Sequence, residues 1–277
     1  MKSKGLPYEI GHSKYHKHAL ELVKDAVERG YRSIFALGGD GTVFEVVNAL
    51  AATGKADEVS IGFLPGGTGN DFTRSLDCPR DPVEAFERLR TGKTIELDVW
   101  KANHLYFINV FGLGLDTDLD GWARRTKKLL SGMPAYIAAL ILTLFSFQFK
   151  KIRITAGGQE MEREVVVLTA SNGRYYGGGI LVAPHAKTSD GLLDLVVINK
   201  VARVFIPFLL AKYIAGRHIE EVKQCEYIRA ERISIDTSMQ FLCETDGELE
   251  LTAPITIERA DWRLTAMVPA DYTSEVG

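Results

Sequence analysis

Gly38-Gly39-Asp40-Gly41-Thr42 combines residue types suited to phosphate chemistry. Glycines let backbone N–H groups approach phosphate oxygens, and a helix N-terminus adds a favourable dipole. A bare anion loop has no need of Asp40, because a carboxylate repels phosphate. Asp40 makes sense if it works through a divalent cation or holds the loop. A second segment, Pro65-Gly66-Gly67-Thr68-Gly69-Asn70-Asp71, repeats the pattern and brings another carboxylate. Arg74 follows on the same side of any helix starting there, placed to neutralise phosphate or pair with Asp71 or Asp98. A third segment, Glu244-Thr245-Asp246-Gly247-Glu248, reads first as a hairpin turn, since Asp-Gly between strands is a strong hairpin signal. Asp246 becomes a general-base candidate if the second half of the chain closes over the glycine loops. Arg174 to Gly179 ends in a glycine run that fits either a ligand approach or a packed bulge. His185 has no second histidine at metal-ligand spacing.

These loops need a sheet edge to carry them. Arg32 to Leu37 and Val59 to Leu64 read as buried strands, each ending in glycines. His16 to Gly30, Thr42 to Ala52 and Asp81 to Arg90 read as helices, the last opened by an Asp-Pro start. Strand–glycine–helix repeats imply an α/β domain with a mostly parallel sheet, and ligands bind at such strand ends. From about Asp98 the pattern turns β-rich, with helices expected at Ala135 to Phe147 and Val201 to Glu221. The expected division is residues 1–98, residues 99–263, and a tail of residues 264–277 returning to the first domain.

The chain has 277 residues, 46% hydrophobic and 25% charged, with a net charge of −3, a balance that excludes nucleic-acid binding by overall electrostatics. Three widely spaced cysteines, Cys78, Cys225 and Cys243, form no CxxC pair and fit a reducing cytoplasm. The longest apolar stretch, Pro134 to Phe149, is shorter than the roughly 20 residues of a spanning helix. It reads as a buried helix or, given its basic flanks, as a surface resting on anionic lipid.

In order, His18-Ala19, GGDGT at Gly38 to Thr42, EVVNAL at Glu45 to Leu50 and PGGTGNDFTR at Pro65 to Arg74 resemble the diacylglycerol kinase catalytic family. Asp98, FGLGLD at Phe111 to Asp116, the Gly177 to Gly179 run, Pro184 to Asp194 and Asp246-Gly247-Glu248 continue the resemblance. It implies a phosphofructokinase-like α/β domain followed by a β-sandwich, with ATP and Mg2+ between them. Gly38, Gly39, Asp40, Gly41, Thr42, Gly66, Gly67, Thr68, Gly69, Asn70 and Asp71 would hold the nucleotide. Asp40, Asp71 and Asp98 would form a magnesium and charge network with Arg74, and Asp246 would take the proton from a lipid hydroxyl. Asp190 and Leu192 would match a structural-metal loop of bacterial members. The implied partners are a lipid substrate met peripherally at the inner face of the membrane, with diacylglycerol giving phosphatidic acid, and a second copy of the chain.

The family's opening strand and Asn-Pro-x-Ser-Gly loop have no counterpart; Gly5 to Ile10 reads as its second strand. The chain as written is therefore expected to lack one sheet strand and part of the nucleotide site. Two other readings stand beside the lipid kinase. One is an NAD kinase-like or other small-molecule kinase sharing GGDGT. The other is a nucleotide- or lipid-binding relative without turnover.

Overall fold

A computed structural model describes residues 8–115 and 147–273. The expected helix at Ala135 to Phe147 lies outside them, apart from Phe147. Helix α1 (His18–Glu28) buries Ala19, Val23 and Val27; of the face its apolar spacing predicts, Val23 and Val27 are buried and Leu20 is partly buried. Its first turn is held from outside: Glu45 accepts from the backbone N–H groups of Lys17 and Ala19 at 2.8 and 3.2 Å. Strand β1 (Ser33–Gly38) runs directly into α2 (Asp40–Thr53), so Asp40 opens the helix rather than preceding it. Strand β2 (Ser60–Pro65) lies parallel to β1, Ser33 opposite Ser60 and Gly38 opposite Pro65. Two short helices follow, α3 (Asp71–Ser75) and α4 (Pro82–Arg90). Asp81 caps α4 through Val83 and Glu84 N–H, as the Asp-Pro start predicts.

The β-rich half comprises β3 (Lys93–Ala102), β4 (Leu105–Phe107), β5 (Val110–Gly114), β6 (Lys150–Ala156), β7 (Gln159–Ser171), β8 (Tyr175–Tyr176), β9 (Ile180–Leu181) and β10 (Leu193–Asn199). It ends with β11 (Cys225–Ala230), β12 (Arg232–Asp236), β13 (Leu242–Thr245), β14 (Glu248–Thr252) and β15 (Ile255–Val268). Among the described residues thirteen strands form one continuous sheet, and β8 and β9 form a separate ribbon. β15 joins the halves: it pairs antiparallel with β12 and β3 and then parallel with β2, where Thr265 faces Ser60. It crosses residues 263–264 without a break.

Two large clusters of buried side chains flank this strand. One gathers Val47, Leu50, Ile61, Phe63 and Leu264 under α1 and α2. The other gathers Trp100, Phe107, Phe111, Leu195 and Ile257 between the β layers. Asn172 ties them together. Its side chain accepts from Trp100 Nε1 at 3.0 Å and donates to the carbonyls of Ile108 and Asp98.

Two expected elements differ. Tyr8 to Ile10 form no strand and are exposed. The helix expected at Val201 to Glu221 is a 3₁₀ turn at Arg203–Phe205, α5 (Ile206–Ile214) and α6 (His218–Glu221). Gly216, at φ 70°, makes the break. Among the described residues no helix is long and apolar enough to cross a membrane.

Trp100→Phe puts a smaller ring in a fully buried site and strands the buried Asn172 oxygen. It should cost about 1–3 kcal/mol, the usual penalty for an unpaired buried group. Urea denaturation checks this; an unchanged midpoint would show that the bond contributes nothing.

Candidate active site

The parallel pairing of β1 and β2 places their two glycine loops side by side. Gly66 N–H donates to Gly38 O at 2.9 Å. A methyl group on Gly67 would lie 2.5 Å from Gly39 Cα, and one on Gly66 would lie 3.1 Å from Gly38 Cα. No side chain fits between backbones that close. Asn70, at φ 53°, closes the second loop with both ends of its amide on Gly67, at 2.9 and 2.7 Å. Thr68 is exposed beside them. Thr42 N–H donates to Gly39 O, continuing the first loop into α2.

Asp40 links the loops. Its Oδ1 accepts from the N–H groups of Asp71 and Phe72 at 2.8 and 3.2 Å, capping α3 from another element. Of the two roles its position allowed, loop holding is visible directly. Its Oδ2 faces Gly69, as does Asp71 Oδ2. Asp71 is buried, and Oδ2 accepts from Gly178 N–H at 2.8 Å while Oδ1 has no partner. Burial raises the Asp71 carboxyl and Asp40's charge raises it further, against the Gly178 and Gly179 N–H groups and Arg74. Two carboxylates meeting here, one with a buried unpaired oxygen, fit a divalent cation that also binds substrate phosphates. Arg74 donates to Gly69 O at 3.2 Å and lies over the Tyr175 ring.

The glycine run is the turn of the β8–β9 ribbon. Gly177, Gly178 and Gly179 all have positive φ, and a methyl on Gly179 would meet the Arg74 guanidinium at 3.0 Å. The run thus brings backbone N–H groups onto Asp71, a role its composition alone did not separate from a packed bulge.

Asp246 and Gly247 form the turn between β13 and β14, at φ 47° and 93°. The hairpin reading is therefore right, and the turn also carries a buried carboxylate. Asp246 Oδ2 accepts from Ile108 N–H at 3.0 Å; Oδ1 accepts from Asn109 and Val110 at 3.0 and 2.9 Å. Burial pushes Asp246 up to about 7, against those three donors and in the same direction as Asp40's charge. A carboxylate offers about four lone-pair positions, so one remains. The next strand brings Glu248 onto the first glycine loop: a methyl on Gly41 would lie 3.3 Å from Glu248 Oε1. Glu248 was missed as a site residue because only the hairpin's docking on α2 reveals its place.

The Asp98 network differs from expectation. Asp98 is fully buried; its Oδ2 accepts from Gly191 N–H at 2.6 Å, and Arg263 Nη2 lies 3.0 Å from Oδ1. Arg74 has its own partners, so the pair with Asp98 does not form. Asp98 instead fastens the Pro184 to Asp194 loop to β3. The expected metal at Asp190 and Leu192 does not fit either. Asp190 Oδ1 accepts from Leu192 N–H, Oδ2 pairs with the Arg229 guanidinium, and Leu192 turns an N–H inward. Among the described residues no three histidine, cysteine or acidic side chains are grouped to hold a metal.

Residues 1–102 match the diacylglycerol kinase catalytic domain, and residues 109–269 match the YegS C-terminal NAD kinase beta sandwich-like domain. The chain belongs to the diacylglycerol kinase catalytic family. A diacylglycerol kinase of Bacillus subtilis is 29% identical over 231 residues, covering 83% of this chain and 75% of that one. The crystal structure of a diacylglycerol kinase from Bacillus anthracis superposes with a TM-score of 0.73 at 30% identity, covering 93% of this chain and 84% of that one. The family's two-part architecture, an α/β catalytic domain followed by a β-sandwich-like domain, is the one seen here. Membership supports a lipid-kinase-type transferase.

Asp40→Asn and Asp40→Ala separate loop holding from charge work. The amide keeps an Oδ1 acceptor for Asp71 and Phe72; alanine does not. Both should lose most turnover, but only the alanine variant should also lose stability, by about 0.5–2 kcal/mol as for a helix cap. Normal turnover in folded Asp40→Asn would remove the charge role.

Proposed function

We propose that the protein transfers the γ-phosphate of ATP to a lipid hydroxyl, with diacylglycerol as substrate and phosphatidic acid as product. The observation that carries this reading is the approach of the Asp246–Glu248 hairpin to the first glycine loop, where Glu248 Oε1 lies beside Gly41. In this reading Asp246 is the base and the glycine loops are the phosphate cradle, and phosphoryl transfer requires little beyond positioning, charge neutralisation and a base.

In this reading the N–H groups of Gly38 to Thr42 and Gly66 to Asn70 line the phosphate path. Asp40 and Asp71 are the residues that would hold a divalent cation, Mg2+ for an ATP-dependent kinase, which when bound neutralises phosphate charge. Arg74, held by Gly69 O and Tyr175, supplies a fixed positive charge beside the loop. Asp246 accepts the hydroxyl proton on its remaining lone pair. Its three N–H donors fix its direction, and its burial raises its basicity above that of an ordinary carboxylate.

The base form of Asp246 appears as pH rises, so the rate should climb to a plateau above about 7. The sign for stability is opposite. The unfolded group titrates near 3.8, so the folded protein binds the extra proton between the two values. That contribution is full below the lower value and is lost as pH rises through the upper one.

Asp246→Asn should cut the rate by about 10²–10⁴ and abolish the rising limb of the pH profile. The amide also turns an N–H₂ toward Ile108 N–H, so a stability loss of about 1–3 kcal/mol should accompany it. A near-normal rate in folded Asp246→Asn, with ATP and diacylglycerol saturating, would move the base elsewhere.

A further inference from the structure

The β8–β9 ribbon stands outside the large sheet, Tyr175 opposite Leu181 and Tyr176 opposite Ile180. Two strands this short are not stable by themselves. The ribbon therefore takes its position from what it touches. On one side it touches the second glycine loop and the helix that follows. Gly178 N–H donates to Asp71 Oδ2 at 2.8 Å, and the Arg74 guanidinium lies against Gly179 and over the Tyr175 ring.

On the other side it touches the hairpin that carries Asp246. Tyr176 OH donates to Glu244 Oε2 at 2.6 Å. Glu244 stands on β13, two residues before Asp246. A second link runs through Asn109. Its side chain donates to Tyr175 O at 3.0 Å, while its backbone N–H donates to Asp246 Oδ1 at 3.0 Å. The ribbon thus bridges the carboxylate of the second glycine loop and the hairpin.

Glu244 is only 4% exposed. Burying a carboxylate is costly, and an apolar residue in its place often serves stability as well or better. A short hydrogen bond to a carboxylate is nonetheless strong. What the pair adds is position. The Tyr176 ring packs beside the apolar cluster that holds Val110 and Val182, and the hydroxyl makes the link to Glu244.

We propose that Tyr176 and Glu244 are positioning residues, whose bond seats the ribbon on the Asp246 hairpin so that Asp71 and Asp246 keep a fixed separation. For its purpose this rests on the lipid-kinase reading, in which Asp71 holds the cation and Asp246 takes the proton. Tyr176 and Glu244 act through the groups they hold, Gly178 on one side and the β13–β14 turn on the other.

The test is steady-state kinetics of the full chain with ATP, Mg2+ and diacylglycerol. Tyr176→Phe deletes the hydroxyl and keeps the ring. Its kcat should fall by about tenfold to a hundredfold, since a misplacement of about 1 Å can cost on the order of 10² in rate. KM for diacylglycerol should not change. Glu244→Leu removes the acceptor and should slow turnover equally; Glu244→Gln keeps an acceptor oxygen and should retain most of the rate. The double variant Tyr176→Phe/Glu244→Leu should be no slower than either single variant, because all three lack the same bond. It also has no carboxylate at position 244, so it carries the test if Tyr176→Phe fails to fold. Unaltered kcat in the folded variants, or losses that multiply in the double variant, would overturn the proposal. So would a lowered melting temperature with unchanged kcat, the mark of a bond that serves stability alone. If the unaltered chain phosphorylates no lipid, the kinase reading fails and hydrogen exchange tests the seat by itself. Tyr176→Phe should then speed exchange at Gly178 and Asp246 together, whose N–H groups are bonded to Asp71 and Val110. Faster exchange at only one of them, or at neither, would overturn the seating.

Discussion

The site depends on the approach of two backbones. Gly38 and Gly39 lie against Gly66 and Gly67 with no room for a β-carbon between them. That contact exists because β1 and β2 are parallel neighbours ending level, and each strand runs straight into its loop. Both glycine loops thereby lie side by side at one edge of the sheet. A side chain at this seam would push them apart, and misplacing a substrate by about 1 Å can cost on the order of 10²-fold in rate.

Charge follows from that packing. Asp40 could have been only a metal ligand, yet one of its oxygens caps α3 and so sets where Asp71 stands. Asp71 is then buried with an unpaired oxygen, and burial together with the charge of Asp40 raises its carboxyl. Asp246 is positioned from the other half of the molecule by Ile108, Asn109 and Val110, and Asn172 and Trp100 brace that same segment. The acidic groups of the cleft are therefore held by backbone donors, whose positions the sheet decides.

Much of this was legible in the residues. Strands ending in Gly-Gly announce loops at a sheet edge, and the Asp-Pro start of α4 and the stripe of α1 are local signals that tertiary packing did not override. Asp-Gly at 246–247 announced its hairpin. Less legible were contacts between segments distant in the chain. Asp98 looks like a partner for Arg74 until the fold brings Gly191 and Arg263 to it. Asp190 looks like a cation ligand until β11 delivers Arg229. Glu248 looks like one more strand residue until its hairpin meets Gly41. In each case the deciding partner lies far along the chain, where spacing carries no information.

Hydrogen exchange with and without ATP and Mg2+ tests most directly whether these segments form one nucleotide site. The account predicts slowed exchange together in the amides of residues 38–42, 66–72 and 177–179, with Asp40→Asn weakening all three. Protection confined to one glycine loop, or appearing only outside these segments, would contradict it.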